Sequence, residues 1–150
     1  MDYQTWEASV PAAITGDALW RLRVYRLALY ATDIAWPDVT ALAKDRRTRS
    51  LSDQLYRALG SIGANVAEGY SRRSGRDRAR LYEYALGSAR GSRDWYYKAR
   101  HVLDDQVLEH RLALLVQIIR LLLTMVPDQR NRMLREETAS YSSDGFETRD

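Results

Sequence analysis

Ser61-Ile62-Gly63-Ala64-Asn65-Val66-Ala67-Glu68-Gly69-Tyr70-Ser71, followed at once by Arg72-Arg73-Ser74-Gly75-Arg76, is the stretch whose reading decides the fold. Ile62, Val66 and Gly69 fall at steps of four and three, the spacing of one helix face. Leu51, Leu55, Ala58 and Leu59 carry the same stripe backwards, with Ser50 or Ser52 as its cap. Beside it runs a polar seam: Gln54, Arg57, Ser61, Asn65, Glu68 and Arg72. Polar residues bordering a core need partners, so the seam predicts hydrogen bonds to a neighbouring helix. After Tyr70 the pattern breaks into a basic hinge, and Ser74 with Asp77 forms a cap for the next helix.

Outward from this stretch the chain is helical in both directions. Leu81, Ala85, Ser88, Ser92, Trp95, Ala99 and Val102 make a thin stripe, with Gly87 and Gly91 leaving room for a close neighbour. Asp105 can cap a further helix with Leu108, Leu112, Leu115, Ile118, Ile119, Leu122, Met125 and Val126 on its core side. Leu114, Val116, Leu121 and Leu123 make that helix apolar nearly all round. Either it is a core helix with several neighbours, or it carries a second buried surface for self-association. Upstream, Asp17 starts a pattern of Leu22, Tyr25, Leu29 and Trp36, widened by Ala28, Ala31, Ile34 and Ala35 and weakened at Thr32. Pro37 should kink or restart it. Four amphipathic helices, short connections and no strand-period segment predict an all-α, up-down four-helix bundle over residues 17–137. Residues 1–16 read as a flexible arm and 138–150 as a disordered acidic tail.

The absence of cysteine excludes disulfides and thiolate metal sites and suits a reducing cytoplasm. No signal-peptide pattern opens the chain. The greasiest run, Leu112 to Val126, is interrupted by Gln117 and Arg120 and reads as too short and polar to span a bilayer. The net charge of +3 is uneven: residues 1–17 carry −3 and residues 136–150 carry −4, which leaves +10 on the body. Such a body suits a polyanionic partner; the alternative is a solvated surface in an arginine-rich chain.

Ser61 to Gly69, the basic loop, and the downstream Leu81-Tyr82-Glu83-Tyr84-Ala85-Leu86-Gly87-Ser88-Ala89 together resemble the four-helix-bundle proteins of 23S ribosomal RNA intervening sequences. That family is similar in fold to the accessory variability proteins of diversity-generating retroelements. The resemblance covers roughly Leu22 to Val126. It implies a homopentameric ring and no known enzymatic activity. For the retroelement relatives it implies a basic surface that binds nucleic acid beside a reverse transcriptase. One departure stands out. Where the family often carries a glutamate, this chain has Gly91, and Asp94 is the residue that could substitute one turn later.

The residues divide accordingly. Arg72, Arg73, Arg76, Arg78 and Arg80, extended by Arg90 and Arg93, are the candidate nucleic-acid contacts, since a guanidinium fork suits phosphate oxygens. Local ion pairs such as Arg80 with Glu83 are the plainer reading. Arg46, Arg47 and Arg49 belong to the connection at the opposite end of an up-down bundle. Arg57, Ser61, Asn65 and Glu68 are candidate structural residues of the seam. No histidine or second carboxylate joins Asn65 and Glu68, so no catalytic site is expected. His101 and His110 are too far apart for a one-turn metal pair, so neither metal nor cofactor is expected. The expected function is a non-enzymatic, oligomeric accessory protein binding structured RNA or an RNA–DNA hybrid, with a protein–protein scaffold as the alternative. Its expected partners are copies of itself, RNA or RNA–DNA, and a reverse transcriptase, with no membrane.

Overall fold

The computed structural model describes the backbone of residues 1–144 and the side chains of residues 1–130. Two short helices, α1 (Tyr3–Ser9) and α2 (Ala12–Thr15), and a 3-10 turn (Ala18–Arg21) precede four long ones. These are α3 (Arg23–Lys44), α4 (Arg49–Tyr70), α5 (Gly75–Lys98) and α6 (Asp105–Asp144), with a second 3-10 turn at Ala99–His101. Every regular element among the described residues is helical, so the fold is all-α. The long helices pack in chain order, α3 on α4, α4 on α5 and α5 on α6, and α6 returns to α3. The short connections make successive helices antiparallel. Of the disordered acidic tail expected over 138–150, residues 138–144 continue α6 and residues 145–150 lie outside the described residues.

The α4 stripe is buried as its spacing requires. Leu55, Leu59, Ile62 and Val66 are all fully enclosed. In α3, Ala28, Ala31, Ile34 and Ala35 are buried as expected, joined by Leu27, Asp38 and Leu42, while Leu22 just before it, Tyr25 and Leu29 are half-buried against the core. Trp36 is 62% exposed, a correction that Thr32 foreshadows, since the hydroxyl marks the edge of the true core face. Pro37 neither ends nor restarts α3, which runs unbroken to Lys44. Pro37 is on the exposed face, where water can take the carbonyl that its missing N–H leaves free.

In α6, Leu114, Leu115, Ile118, Ile119, Leu122 and Val126 are buried while Leu123 is exposed. By length and composition alone Asp105–Arg130 would suffice to cross a bilayer, a longer span than Leu112 to Val126 suggests. The buried face of this helix is packed against α5 and α3.

The N-terminal segment is not a loose arm. Trp6 is 3% exposed and donates its indole N–H to Asp33 of α3 at 2.7 Å. Its ring meets those of Tyr3, Trp20 and Tyr30, and the Tyr30 hydroxyl donates to the Met1 carbonyl. A large aromatic surface and one satisfied donor fasten α1 to α3. Asp17 caps the 3-10 turn through Leu19 N–H, not a long helix. Ser52, offered as a helix cap, is buried and donates to the Val39 carbonyl, which ties α4 to α3.

Candidate nucleic-acid interface

The basic hinge joins α4 to α5 at one end of the molecule. Ser71 closes α4, and Ser74 caps α5 by accepting from Asp77 N–H at 3.2 Å, as the spacing predicts. Between them Arg72 and Arg73 are exposed, and Arg76 and Arg80 follow on the exposed side of α5. Arg80 approaches Asp77 only to 3.9 Å on an exposed surface, so little of its charge is neutralised. Its expected neighbour Glu83 pairs with Arg130 of α6 instead. Arg72 and Arg73 complement the negative end of α4, and Arg76 adds to the positive end of α5. A shallow hollow of about 320 Å3, lined by Ala67, Glu68, Ser71 and Arg72, opens beside the hinge.

Arg78 has a different role from its neighbours. Its guanidinium donates to the carbonyls of Arg72 (2.9 Å) and Arg73 (2.7 Å) and to Gln129 of α6 (2.6 Å). Three acceptors occupy it, so it holds the hinge, while the guanidinium groups of Arg72, Arg73, Arg76 and Arg80 stay exposed. Arg90 and Arg93 are also separate. They stand 14 and 17 residues beyond Arg76 on α5, on the order of 20 Å along a helix rising about 1.5 Å per residue. There they line a groove of about 620 Å3 with Asp94, Tyr97, Leu112 and Val116. At the far end, Arg47 is held by Asp45 at 2.8 Å, and those hydrogen bonds lower the Asp45 carboxyl to about 2.

One member of the polar seam, Ser61, reaches a neighbouring helix, and Asn65 braces it from within α4. Ser61 and Ser88 share a hydrogen bond at 2.9 Å between α4 and α5, and the Asn65 amide donates to the Ser61 carbonyl and hydroxyl. Arg57 and Glu68 are exposed, so they are not part of the interhelical network. Asp94 does not replace the family glutamate in that contact: it pairs with Lys98 at 2.6 Å on the surface. Beyond Gly91 an added Cβ would meet open space.

A second polar cluster escaped the sequence reading. Asp38 is 5% exposed and accepts from the Tyr96 hydroxyl (2.7 Å) and from Arg111 Nε (2.8 Å). The same guanidinium donates to the Ile34 carbonyl and meets the His110 ring at Nδ1. Burial, and after it the Asp38 charge, push the Tyr96 hydroxyl far above the ordinary tyrosine range, so it stays a donor. The cluster links α3, α5 and α6. Its sequence signal was opposite charges within two apolar stripes, Asp38 between Ile34 and Leu42 and Arg111 between Leu108 and Leu115.

His110 has its pKa lowered by burial and then by the Arg111 charge, so near pH 7 the ring is neutral and Nδ1 is free to accept. A histidine whose folded pKa is depressed contributes stability fully above its unfolded value, near 6.5, and loses it as the pH falls through the lower folded value. Chemical unfolding at stepped pH is expected to show that slope, and His110→Gln should remove it.

A family model described as 23S rRNA-intervening sequence protein matches residues 21–124, from the foot of α3 well into α6. The chain belongs to the 23S rRNA-intervening sequence protein family. The match takes in the basic hinge, the Ser61–Asn65–Ser88 contact and the Asp38–Tyr96–Arg111 cluster, and leaves out α1 and α2. A crystal structure of a protein of unknown function from the S23 ribosomal protein family, from Bacteroides thetaiotaomicron, superposes with a TM-score of 0.63 at 21% identity. It covers 69% of this chain and 97% of that one, and supports the fold. No curated protein matches the chain.

Proposed function

We propose that this member of the 23S rRNA-intervening sequence protein family is a non-enzymatic, nucleic-acid-binding accessory protein of the cytoplasm. In this reading α3 to α6 form an up-down four-helix bundle that assembles with copies of itself, as a pentameric ring by the resemblance stated above. The observation that supports it best is the hinge. Arg72, Arg73, Arg76 and Arg80 are exposed at one end, and among the described residues none has a carboxylate within 3.5 Å. Guanidinium groups so placed meet phosphates, and repetition around an assembly multiplies weak contacts. Structured RNA or an RNA–DNA hybrid is the target class, read through shape and backbone, because no base-reading motif accompanies the arginines. A reverse transcriptase is the protein partner that the retroelement resemblance brings forward.

The test is a salt titration of binding to a structured RNA, with the wild type and with Arg72, Arg73 and Arg76 all changed to Gln. Each lost phosphate contact should lower the slope of log affinity against log salt by about 0.7–0.9. Three should therefore reduce it by about 2–3 while the mass of the assembly is unchanged. Equal slopes for the two proteins would reject the reading. The rival is a protein–protein scaffold without nucleic acid. It draws on the exposed aromatics Trp36, Tyr84 and Tyr97, and predicts unchanged partner capture by the same triple variant.

A further inference from the structure

We infer that the molecule recognises a second copy of itself head to tail, with the Trp36–Tyr56 ridge of one copy seated in the Arg90–Tyr97 groove of the next. The inference rests on the self-assembly within the reading above and specifies the two surfaces that perform it.

The ridge lies on the outside of α3 and α4. Trp36 is 62% exposed and stands edge-on to Tyr56, which is itself 38% exposed, with ring centroids 5.6 Å apart. A tryptophan held in one orientation by a second ring, yet open to water, has the makings of an interface anchor. The groove lies on the outside of α5 and α6. Leu112 and Val116 form its apolar floor, and Arg90, Arg93, Tyr97 and Asp94 its walls, the Asp94 charge being offset by Lys98. At about 620 Å3 it has room for an indole with its neighbour.

Two features match these surfaces to each other. The first is level. Asp38 bonds to Tyr96 and Arg111, so residue 38 of α3 stands level with 96 of α5 and 111 of α6. Ser52 bonds to Val39, which sets α4 on the same scale. Trp36 is two residues from Asp38; Asp94, Tyr97 and Leu112 are within two of Tyr96 or Arg111. Ridge and groove are therefore at one height. They face opposite ways, since α3–α4 and α5–α6 are opposite sides of the closed circuit of contacts. Copies placed side by side, without sliding along the helices, bring one against the other.

The second feature is charge. Asp33 and Asp53 each stand three residues before an aromatic of the ridge, and both are exposed, Asp33 with one oxygen already accepting from the Trp6 indole. Arg90 and Arg93 stand on the groove, and among the described residues none of the four has an ion-pair partner within 4 Å. A ridge edged with carboxylates fits a groove edged with guanidinium groups. Different patches on the two copies make a heterologous contact, which builds closed rings or open chains but not a two-fold pair.

The experiment uses the full chain and three readouts. Light scattering should show that Trp36→Ser weakens self-association at least about 30-fold, the size of an interface hot spot, with an unchanged helical content. Asp53→Arg, which leaves the Trp6–Asp33 bond in place, should do the same, and adding Arg90→Asp and Arg93→Asp should restore the assembly. Because the chain has no cysteine, Tyr56→Cys combined with Val116→Cys should give a disulfide ladder on oxidation. Assembly that survives both Trp36→Ser and the charge reversal would overturn this contact and leave self-assembly standing. Disulfide dimers from Tyr56→Cys alone would mean like-to-like packing and would also overturn it. A wild type that stays a single chain at every concentration would remove self-assembly itself.

Discussion

Arg111→Met should destabilise the protein by about 3–5 kcal/mol, the usual cost of stranding one member of a buried ion pair. The Arg111 side chain is 14% exposed and its partner Asp38 is 6% exposed, so water cannot replace the lost donor. Asp38 would keep one hydrogen bond, from Tyr96, for a full negative charge. The methionine fills a similar volume, so a cavity contributes little and the loss reports on charge. For a chain of this length each kcal/mol lowers the melting temperature by roughly 2–4 °C, which gives a fall on the order of 10 °C. The matching control is the apolar triple Asp38→Leu, Tyr96→Phe and Arg111→Met. Removing all three partners strands nothing, and stability should return to within about 1 kcal/mol of the wild type or exceed it. Urea unfolding measures both. A cost below about 1 kcal/mol for the single variant would mean that the pair is solvated.

Gly69→Leu is the second large effect. A Cβ at residue 69 would lie 2.7 Å from Cε1 of Tyr82, 2.9 Å from its Cδ1 and 3.2 Å from Cβ of Leu81. The Tyr82 ring is 2% exposed and has no free direction in which to swing. Overfilling such a contact costs typically about 1–3 kcal/mol, and leucine adds three carbons beyond the Cβ, so the upper end applies. The gain of about 1 kcal/mol that glycine replacement gives within a helix cannot offset it. Gly60→Ala is the opposite case. Nothing stands within 4 Å of its Cβ, so only the propensity gain remains, and the variant should melt higher than the wild type. A pair of thermal scans decides both. Equal shifts for Gly69 and Gly60 variants would mean that α4 and α5 are farther apart than described.

These residues also show what a linear chain reveals. The α4 stripe was legible because its apolar residues repeat without interruption, and Ser74 was legible because a cap is a local contact. Ser61 bonds across to α5 as a polar residue beside a core should, while Asn65 finds its acceptors on Ser61 of its own helix. Glu68 and Arg57 share the same periodicity but stand one step farther round the cylinder, where long side chains reach water. Periodicity alone does not fix that angle. Trp36 was misplaced for a related reason: hydrophobicity argued for burial, while the phase of Ile34, Asp38 and Leu42 put it outside. The Asp38 cluster joins residues 58 and 73 positions apart. Separation of that kind hides a partner until the helices are stacked. Arg78 was grouped with its neighbours by charge, and only the hinge carbonyls separate it from them. The close approach expected at Gly87 and Gly91 is instead made at Gly69.

Arg78 bears on the energetics of any polyanion that reaches the hinge. By taking two main-chain carbonyls and reaching across to α6, it fixes the peptide path from which Arg72 and Arg73 project. Freezing a wandering loop would otherwise be charged against each encounter; here the restriction is already complete once the chain has folded. Loosening the peptide at Arg78 would leave the four exposed hinge charges in place and still weaken the binding proposed for them, through disorder restored to the unbound protein.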